Sequence, residues 1–375
     1  MNANTLKPSK KLGFGLMRLP VQEDKSIDIP RLCDMVDAFM EKGFTYFDTA
    51  YVYHEGTSET AAKAALVDRY PRDTFTLATK LPAWEIKCQE DVQRIFDEQL
   101  VRTGAGYFDY YLLHAVQASN LPVYDKYDCW NWALKLKEQG LIRHFGFSFH
   151  DTPELLDRLL TEHPQVEFVQ LQINYMDWED GNVQSRKCYE TAVKHQVPVI
   201  VMEPVKGGTL ASLPEKPAAI LKEYAPEVSL ASWALRFCAS LDNVMAVLSG
   251  MSDEAQMKDN LSTMSDFKPL TEKEQEVIKR TVEEILSVPT VPCTSCRYCV
   301  DGCPQQIHIP DLFQSLNKVK LYGENKQAFN SYEEHSKAGS PASACIQCGQ
   351  CESVCPQHLP VIKYLEEAAY TFERR

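Results

Sequence analysis

The chain lacks any run approaching the roughly 18 apolar residues that a membrane span requires. It also lacks a basic excess: 39 Lys and Arg face 52 Asp and Glu, a formal charge of −13 that opposes general attraction to nucleic acid or to an anionic membrane. The polar stretch 1–11 has no apolar segment behind it, so a soluble, unexported, cytoplasmic protein is expected. No GxGxxG fingerprint is present, since Gly13-Phe-Gly15 has no third glycine and no helix directly after it, and no flavin-binding motif is identified. What remains is a chain of 375 residues with 44% apolar content, enough for one large domain and one smaller one.

Cysteine is abundant, and its use is set by spacing. Without a signal peptide, 13 cysteines point to metal binding rather than disulfides. Cys33, Cys88, Cys129, Cys188 and Cys238 stand singly, mostly in amphipathic stretches, where cysteine acts as a small hydrophobe. The other eight form Cys293-x2-Cys296-x2-Cys299-x3-Cys303-Pro304 and Cys345-x2-Cys348-x2-Cys351-x3-Cys355-Pro356, the bacterial two-cluster ferredoxin run written twice. Three closely spaced thiolates wrap one 4Fe-4S cube while the fourth serves its neighbour. Two clusters are therefore expected, with Cys303 ligating the second and Cys355 the first. Structural zinc, the alternative, takes paired C-x2-C motifs and leaves the third close cysteine without a role. The segment resembles the helical ferredoxin modules of multi-domain oxidoreductases, and residues 309–321 between the runs have helical spacing. The linker 287–292 (SVPTVP) marks a boundary, giving domains 1–285 and 286–375.

The first domain alternates short apolar runs with amphipathic stretches, the pattern of repeated βα units. Strands are expected at 12–16, 45–48, 75–79, 108–113, 144–148, 168–173, 199–202 and 244–248, with helices at 29–42, 59–70, 91–103 and 130–139. Eight such units imply an α/β fold of the TIM (β/α)8 type followed by a small, mainly helical ferredoxin-like domain. Reactive residues of such barrels stand where strands end. Asp48, Tyr53, Lys80 and His114 lie at or just after strand ends. An Asp–Lys pair there is also an ordinary salt bridge of a barrel mouth. Together the four make a proton-donating site: Lys80 lowers the Tyr53 phenol, Asp48 holds Lys80, Tyr53 protonates a carbonyl oxygen, and His114 orients that oxygen.

These residues sit in motifs that resemble the aldo-keto reductases over about residues 10–265: LGFGLMRLP (12–20), FDTAYVY and GTSE (47–59), LATK (77–80), DYYLLH (109–114), LIRHFGFS (141–148), VQLQINY (169–175), MEPVKGG (202–208) and SGMSDEAQMKDNL (249–261). The resemblance implies hydride exchange between a nicotinamide cofactor and a small carbonyl or alcohol substrate, with Asp48, Tyr53, Lys80 and His114 as the catalytic tetrad. It implies cofactor contacts at Leu16, Met17, Asp48, Ser148, Gln170, Met202, Pro204, Lys206, Gly208, Gly250, Ser252, Gln256 and Asn260. Met202 stands where family members stack an aromatic ring, and Phe149, followed by His150, replaces the usual asparagine. Ser252 and Gln256 occupy positions that are often basic for the 2′-phosphate of NADP, with Lys258 or Lys206 as substitutes. NADP(H) is the family's expectation and NAD(H) the alternative.

Tyr51, Trp84 and Trp178 follow strand ends and are candidates for a substrate pocket or for core packing. His54, His144, His163 and His195 show no metal-ligand spacing. The clusters transfer electrons, sense redox state or are structural, and an electron-carrier protein is a candidate partner. Two alternatives to nicotinamide chemistry stand: a ferredoxin-coupled reductase that delivers electrons singly to a flavin or substrate, and a redox-responsive binding protein.

Overall fold

A computed structural model describes residues 6–8 and 10–374. Eight parallel strands close into a barrel in chain order: β1 (Leu12–Gly15), β2 (Tyr46–Asp48), β3 (Thr76–Pro82), β4 (Phe108–Val116), β5 (Ile142–Phe149), β6 (Phe168–Gln172), β7 (Val199–Met202) and β8 (Val244–Ser249). Each strand is covered on both faces, which is why its sequence reads as a continuous apolar run rather than an alternation. One face fills the lumen with Tyr46, Ala78, Tyr110, Leu112, Phe168, Ile200, Met245, Ala246 and Leu248. Tyr110 anchors that layer, its ring 4.9 Å from Tyr46 and 5.3 Å from Phe168. The other face, with Phe14, Phe47, Leu77, Phe145 and Val201, packs against the surrounding helices. Gly146 is required by closure: a Cβ there would lie 2.3 Å from the Phe168 carbonyl oxygen of the neighbouring strand.

The register aligns the strand ends. Asp48 pairs with Ala78, Lys80 with Leu112, Pro82 with His114, and Ser148 with Gln170. Between Leu113 and Val116 the register shifts, and Ala115 takes a left-handed conformation at φ 52°.

The chain groups into two compact units. Of the described residues, the first holds those up to 180, 184–204 and 231–271, with all eight strands; the second holds 181–183, 205–230 and 272–374. A linear cut at 285 therefore differs from the spatial grouping. The helix Glu215–Tyr224 packs on Glu272–Leu286, which draws both segments into the second unit. That unit has its own core, including Ile307, Leu312, Phe313, Leu316, Tyr332, Cys351, Leu365 and Phe372, with Cys293, Cys299, Cys303, Cys345 and Cys355 packed at its margin. Its helices include Ile309–Tyr322, Lys326–Ala338 and Val361–Phe372. No described helix is long and apolar enough to cross a membrane.

Candidate active site and cysteine cavities

The strand-end residues of β2, β3 and β4 meet in the first unit. Lys80 is fully buried, and its ammonium donates to Asp48 Oδ1 at 2.5 Å, to the Thr49 carbonyl at 2.8 Å and to the Tyr53 phenol oxygen at 3.3 Å. The ring of His114 lies 5.8 Å from that of Tyr53 in an edge-on arrangement, and Trp84 covers His114 at 5.1 Å while remaining 44% exposed.

Burial governs the protonation of this group. It pulls Lys80 below its usual value and pushes Asp48 above its own, and the attraction between them opposes both shifts. Burial, with Asp48 and Glu203 adding, holds the Tyr53 phenol well above 10, although the residue is partly exposed. The expected lowering by Lys80 does not set the outcome: Arg18 is the charge that opposes the shift, the net direction is upward, and Tyr53 carries its proton. Burial, together with Lys80 and His150, holds His114 well below the usual imidazole value, so its ring is neutral.

A polar buttress behind Lys80 is not evident from strand-end logic. Glu59, fully buried, accepts from Thr79 at 2.7 Å and from Gln99 at 3.1 Å, and Gln99 also donates to the Lys80 carbonyl at 3.0 Å. The signal was the glutamate of the GTSE motif, a carboxylate placed on an otherwise inward helix face. Arg18 and Glu203 form a second pair at 3.7 Å, with fields that reach Tyr53.

The residues expected to touch a nicotinamide nucleotide fall into two groups. In the first unit, Gln170 donates to Asp48 Oδ2 at 3.1 Å, Ser148 Oγ accepts the Ala115 N–H at 2.7 Å, and Asn260 donates to Ser249 Oγ at 2.9 Å. The Leu16 N–H donates to the Asp48 carbonyl at 2.8 Å; Met17 and Met202 are partly exposed and Pro204 is buried. Ser252 donates its hydroxyl to the Arg18 carbonyl and its N–H to Gln256, and Gly250 lies against the Arg18 side chain. Lys206 and Gly208 belong to the second unit, where Lys206 is 3% exposed and its ammonium is 3.5 Å from Gln357 Oε1.

Of the aromatic candidates, only Trp84 abuts the tetrad. Tyr51 donates to Glu98 at 2.6 Å, and Trp178 packs against Tyr189 and Phe237. The single histidines have structural partners: His54 accepts from Leu19, His144 and His195 pair with Glu167 and Asp157, and His163 stacks on Trp130.

In the second unit the cysteines line two cavities. One is ringed by Cys293, Cys296, Cys299 and Cys355, the other by Cys303, Cys345, Cys348 and Cys351. Each draws three thiols from one run and the fourth from the other. The two loops are conformational twins. Ser295 and Gln347 have φ 55° and 57°, Arg297 and Gly349 have 68° and 76°, and Gln306 and His358 have 54° and 49°. The N–H of Ser295 donates to Cys293 Sγ at 3.4 Å, and that of Gln347 to Cys345 Sγ at 3.4 Å. Among the described residues no three His, Cys, Asp or Glu side chains converge on a single ion. The thiols surround space, as a cube's corner ligands do, instead of meeting at a point. Burial raises Cys293 and Cys351 to about 11 and also raises Cys299 and Cys355. Buried thiols of this kind ionise when iron supplies the compensating charge, so the donor set fits an iron–sulfur cluster.

Comparison with known proteins agrees with this division. Residues 11–283 match the aldo/keto reductase family, and residues 292–359 match the 4Fe-4S dicluster domain. The uncharacterized oxidoreductase YqkF of Bacillus subtilis is 23% identical over 300 residues, 72% of this chain and 91% of that one. Methylglyoxal reductase DkgA of Yersinia pestis is 26% identical over 289 residues, 76% and 89% respectively. The holo form of aldo-keto reductase AKR11C1 from Bacillus halodurans superposes with a TM-score of 0.58 at 26% identity, covering 72% of this chain and 91% of that one. The chain belongs to the aldo/keto reductase family and carries a 4Fe-4S dicluster domain after its barrel.

Proposed function

We propose that this oxidoreductase exchanges a hydride between a bound nicotinamide dinucleotide and a small carbonyl or alcohol, with Tyr53 as general acid and base. The observation that carries this reading is the buried Lys80 ammonium held between Asp48 and the Tyr53 phenol. Asp48 fixes Lys80, and Lys80 aims its charge at the phenol oxygen, where it stabilises the phenolate left after proton donation. The neutral His114 ring donates a hydrogen bond to the substrate oxygen while Tyr53 delivers the proton to that atom. Trp84 excludes water from one side of His114.

The nicotinamide supplies the hydride when bound. Leu16, Met17, Ser148, Gln170, Met202, Pro204, Gly250, Ser252, Gln256 and Asn260 are its proposed contacts. NADP(H) is the family's expectation, with NAD(H) the alternative that the uncharged Ser252 and Gln256 favour. Stopped-flow absorbance of bound NAD(P)H tests the reading. Oxidation on mixing with a carbonyl compound, reduced about 10²- to 10⁴-fold by Tyr53→Phe, is expected; unchanged turnover in that variant overturns it.

Each cysteine set would hold one 4Fe-4S cluster, two in all, in a protein of the reducing cytosol. A one-electron role with a carrier protein is the reading that Cys348 favours, since it is exposed while the corresponding Cys296 is partly buried. Reduction of the clusters by two or more equivalents of pre-reduced ferredoxin, which is itself oxidised in the exchange, checks this, and no reduction removes the carrier.

A further inference from the structure

The segment after β7 is expected to grip nucleotide phosphates, yet its lysine is spent elsewhere. Lys206 is 3% exposed, lies 3.5 Å from Gln357 Oε1, and sits among residues of the cysteine-bearing unit. Gln357 lines the cavity of Cys293, Cys296, Cys299 and Cys355.

Backbone packing fixes this placement. Gly207 runs directly over the loop between Cys293 and Cys296: a Cβ at Gly207 would lie 2.3 Å from the Thr294 carbonyl oxygen. Lys206 itself holds φ 48° and Gly207 φ 64°, left-handed conformations in succession, the first uncommon for a side chain of this size. A strained residue kept in place by close packing points to a role for its side chain.

The two cysteine loops share their backbone but not their electrostatics. The first has Arg297, paired with Asp311 at 3.0 Å, where the second has Gly349. The first also has the buried Lys206 ammonium, held against Gln357 of its own cavity lining.

We propose that Lys206 sets the reduction potential of the cluster held by Cys293, Cys296, Cys299 and Cys355, raising it by stabilising the reduced cube. This rests on the cluster assignment above and is independent of hydride transfer at Tyr53. Reduction adds one electron and one negative charge to the cube, with no bond made or broken. A fixed ammonium in a low-dielectric surround favours the more negative state. Lys206 is a positioning charge: it touches neither substrate nor iron.

The test is a dithionite titration of the full-length holoprotein with redox mediators, monitored by electron paramagnetic resonance. In Lys206→Met, one of the two one-electron steps should fall in potential by the equivalent of a tenfold change in the reduction equilibrium or more, which is 59 mV for n = 1. Lys206→Arg should keep the native value, and Tyr53→Phe should leave both steps unmoved. The Tyr53→Phe control separates a failed titration from a failed carbonyl assay. Two unmoved steps in an iron-replete Lys206→Met protein overturn the proposal, as does a Lys206→Arg shift as large as that of Lys206→Met. If Lys206→Met and Lys206→Gln both lose iron while Lys206→Arg retains it, the charge serves assembly instead, and the proposal in this form is wrong.

Discussion

Gln170 on β6 reaches across the barrel to Asp48 on β2, its side-chain nitrogen 3.1 Å from Oδ2, while Lys80 holds Oδ1 at 2.5 Å. Both oxygens of a buried carboxylate are engaged, so each donor restrains the other's partner. Removing a hydrogen bond to a buried charge costs about 1.5–3 kcal/mol. Gln170→Leu should therefore lower the barrel's thermal midpoint, followed by far-ultraviolet circular dichroism, and reduce kcat about tenfold as Lys80 loosens. The same variant separates two roles for Gln170. Nicotinamide affinity within about threefold of native, measured by fluorescence titration, assigns Gln170 to Asp48 alone; a loss beyond tenfold assigns it to the carboxamide as well.

Charge removal at Lys80 should be more damaging than at Gln170. Lys80→Met leaves Asp48 buried without a countercharge, with only Gln170 still donating to it, a change expected to cost about 3–5 kcal/mol. The Asp48 carboxyl, already pushed upward by burial, would then rise further, because the Lys80 charge that opposes that shift is gone. Adding Asp48→Asn should recover part of the lost thermal stability but none of the activity. A double variant less stable than Lys80→Met shows that the carboxylate has a partner more important than this lysine.

The pH profile follows from the raised phenol and the lowered imidazole. Under the proposed mechanism carbonyl reduction needs Tyr53 protonated, and its proton is held well above pH 10. It also needs His114 neutral, and His114 remains so to well below pH 6.5. The rate of reduction should be flat across the neutral range and fall only as the pH rises toward the phenol's value. Alcohol oxidation needs the phenolate and should instead rise about tenfold per pH unit over the same range. Paired profiles for the two directions check this; an acid-side fall centred near pH 6.5 in reduction would show that His114 titrates freely.

The barrel was legible because its strands are buried on both sides, so each of the eight apolar runs coincides with one strand. Boundaries moved where sequence carries no turn signal: β3 continues through Leu81 to Pro82 and β4 through His114 to Val116, beyond the runs that end at 79 and 113. The stretch 59–70 reads as one helix, but it passes into a π-helical turn at Lys63–Val67 and stops ahead of Pro71, which disfavours helix in the residue before it. The convergence of Asp48, Tyr53, Lys80 and His114 was legible because strand ends converge by topology. The partners of Gln170 and Lys206 were not, because both depend on contacts between residues more than a hundred positions apart. Nothing in the order of residues tells a lysine in a phosphate loop from one turned toward a cysteine loop.

The pairing of Cys303 with the second run makes a prediction that iron analysis can read. Cys303 shares its cavity with Cys345, Cys348 and Cys351, and Cys355 shares the other with Cys293, Cys296 and Cys299. Cys303→Ala should disrupt the cluster of the second set although its neighbours in sequence belong to the first. Combining it with Cys348→Ala should remove no further iron, since both act on one site, whereas combining it with Cys296→Ala should empty both sites. The opposite pattern would place Cys303 with its own run. The Cys303→Ala protein also isolates the first cluster, and there Lys206→Met should still lower the potential. In Cys355→Ala, where the surviving cluster is the one that Lys206 does not face, the same substitution should leave the potential where it was.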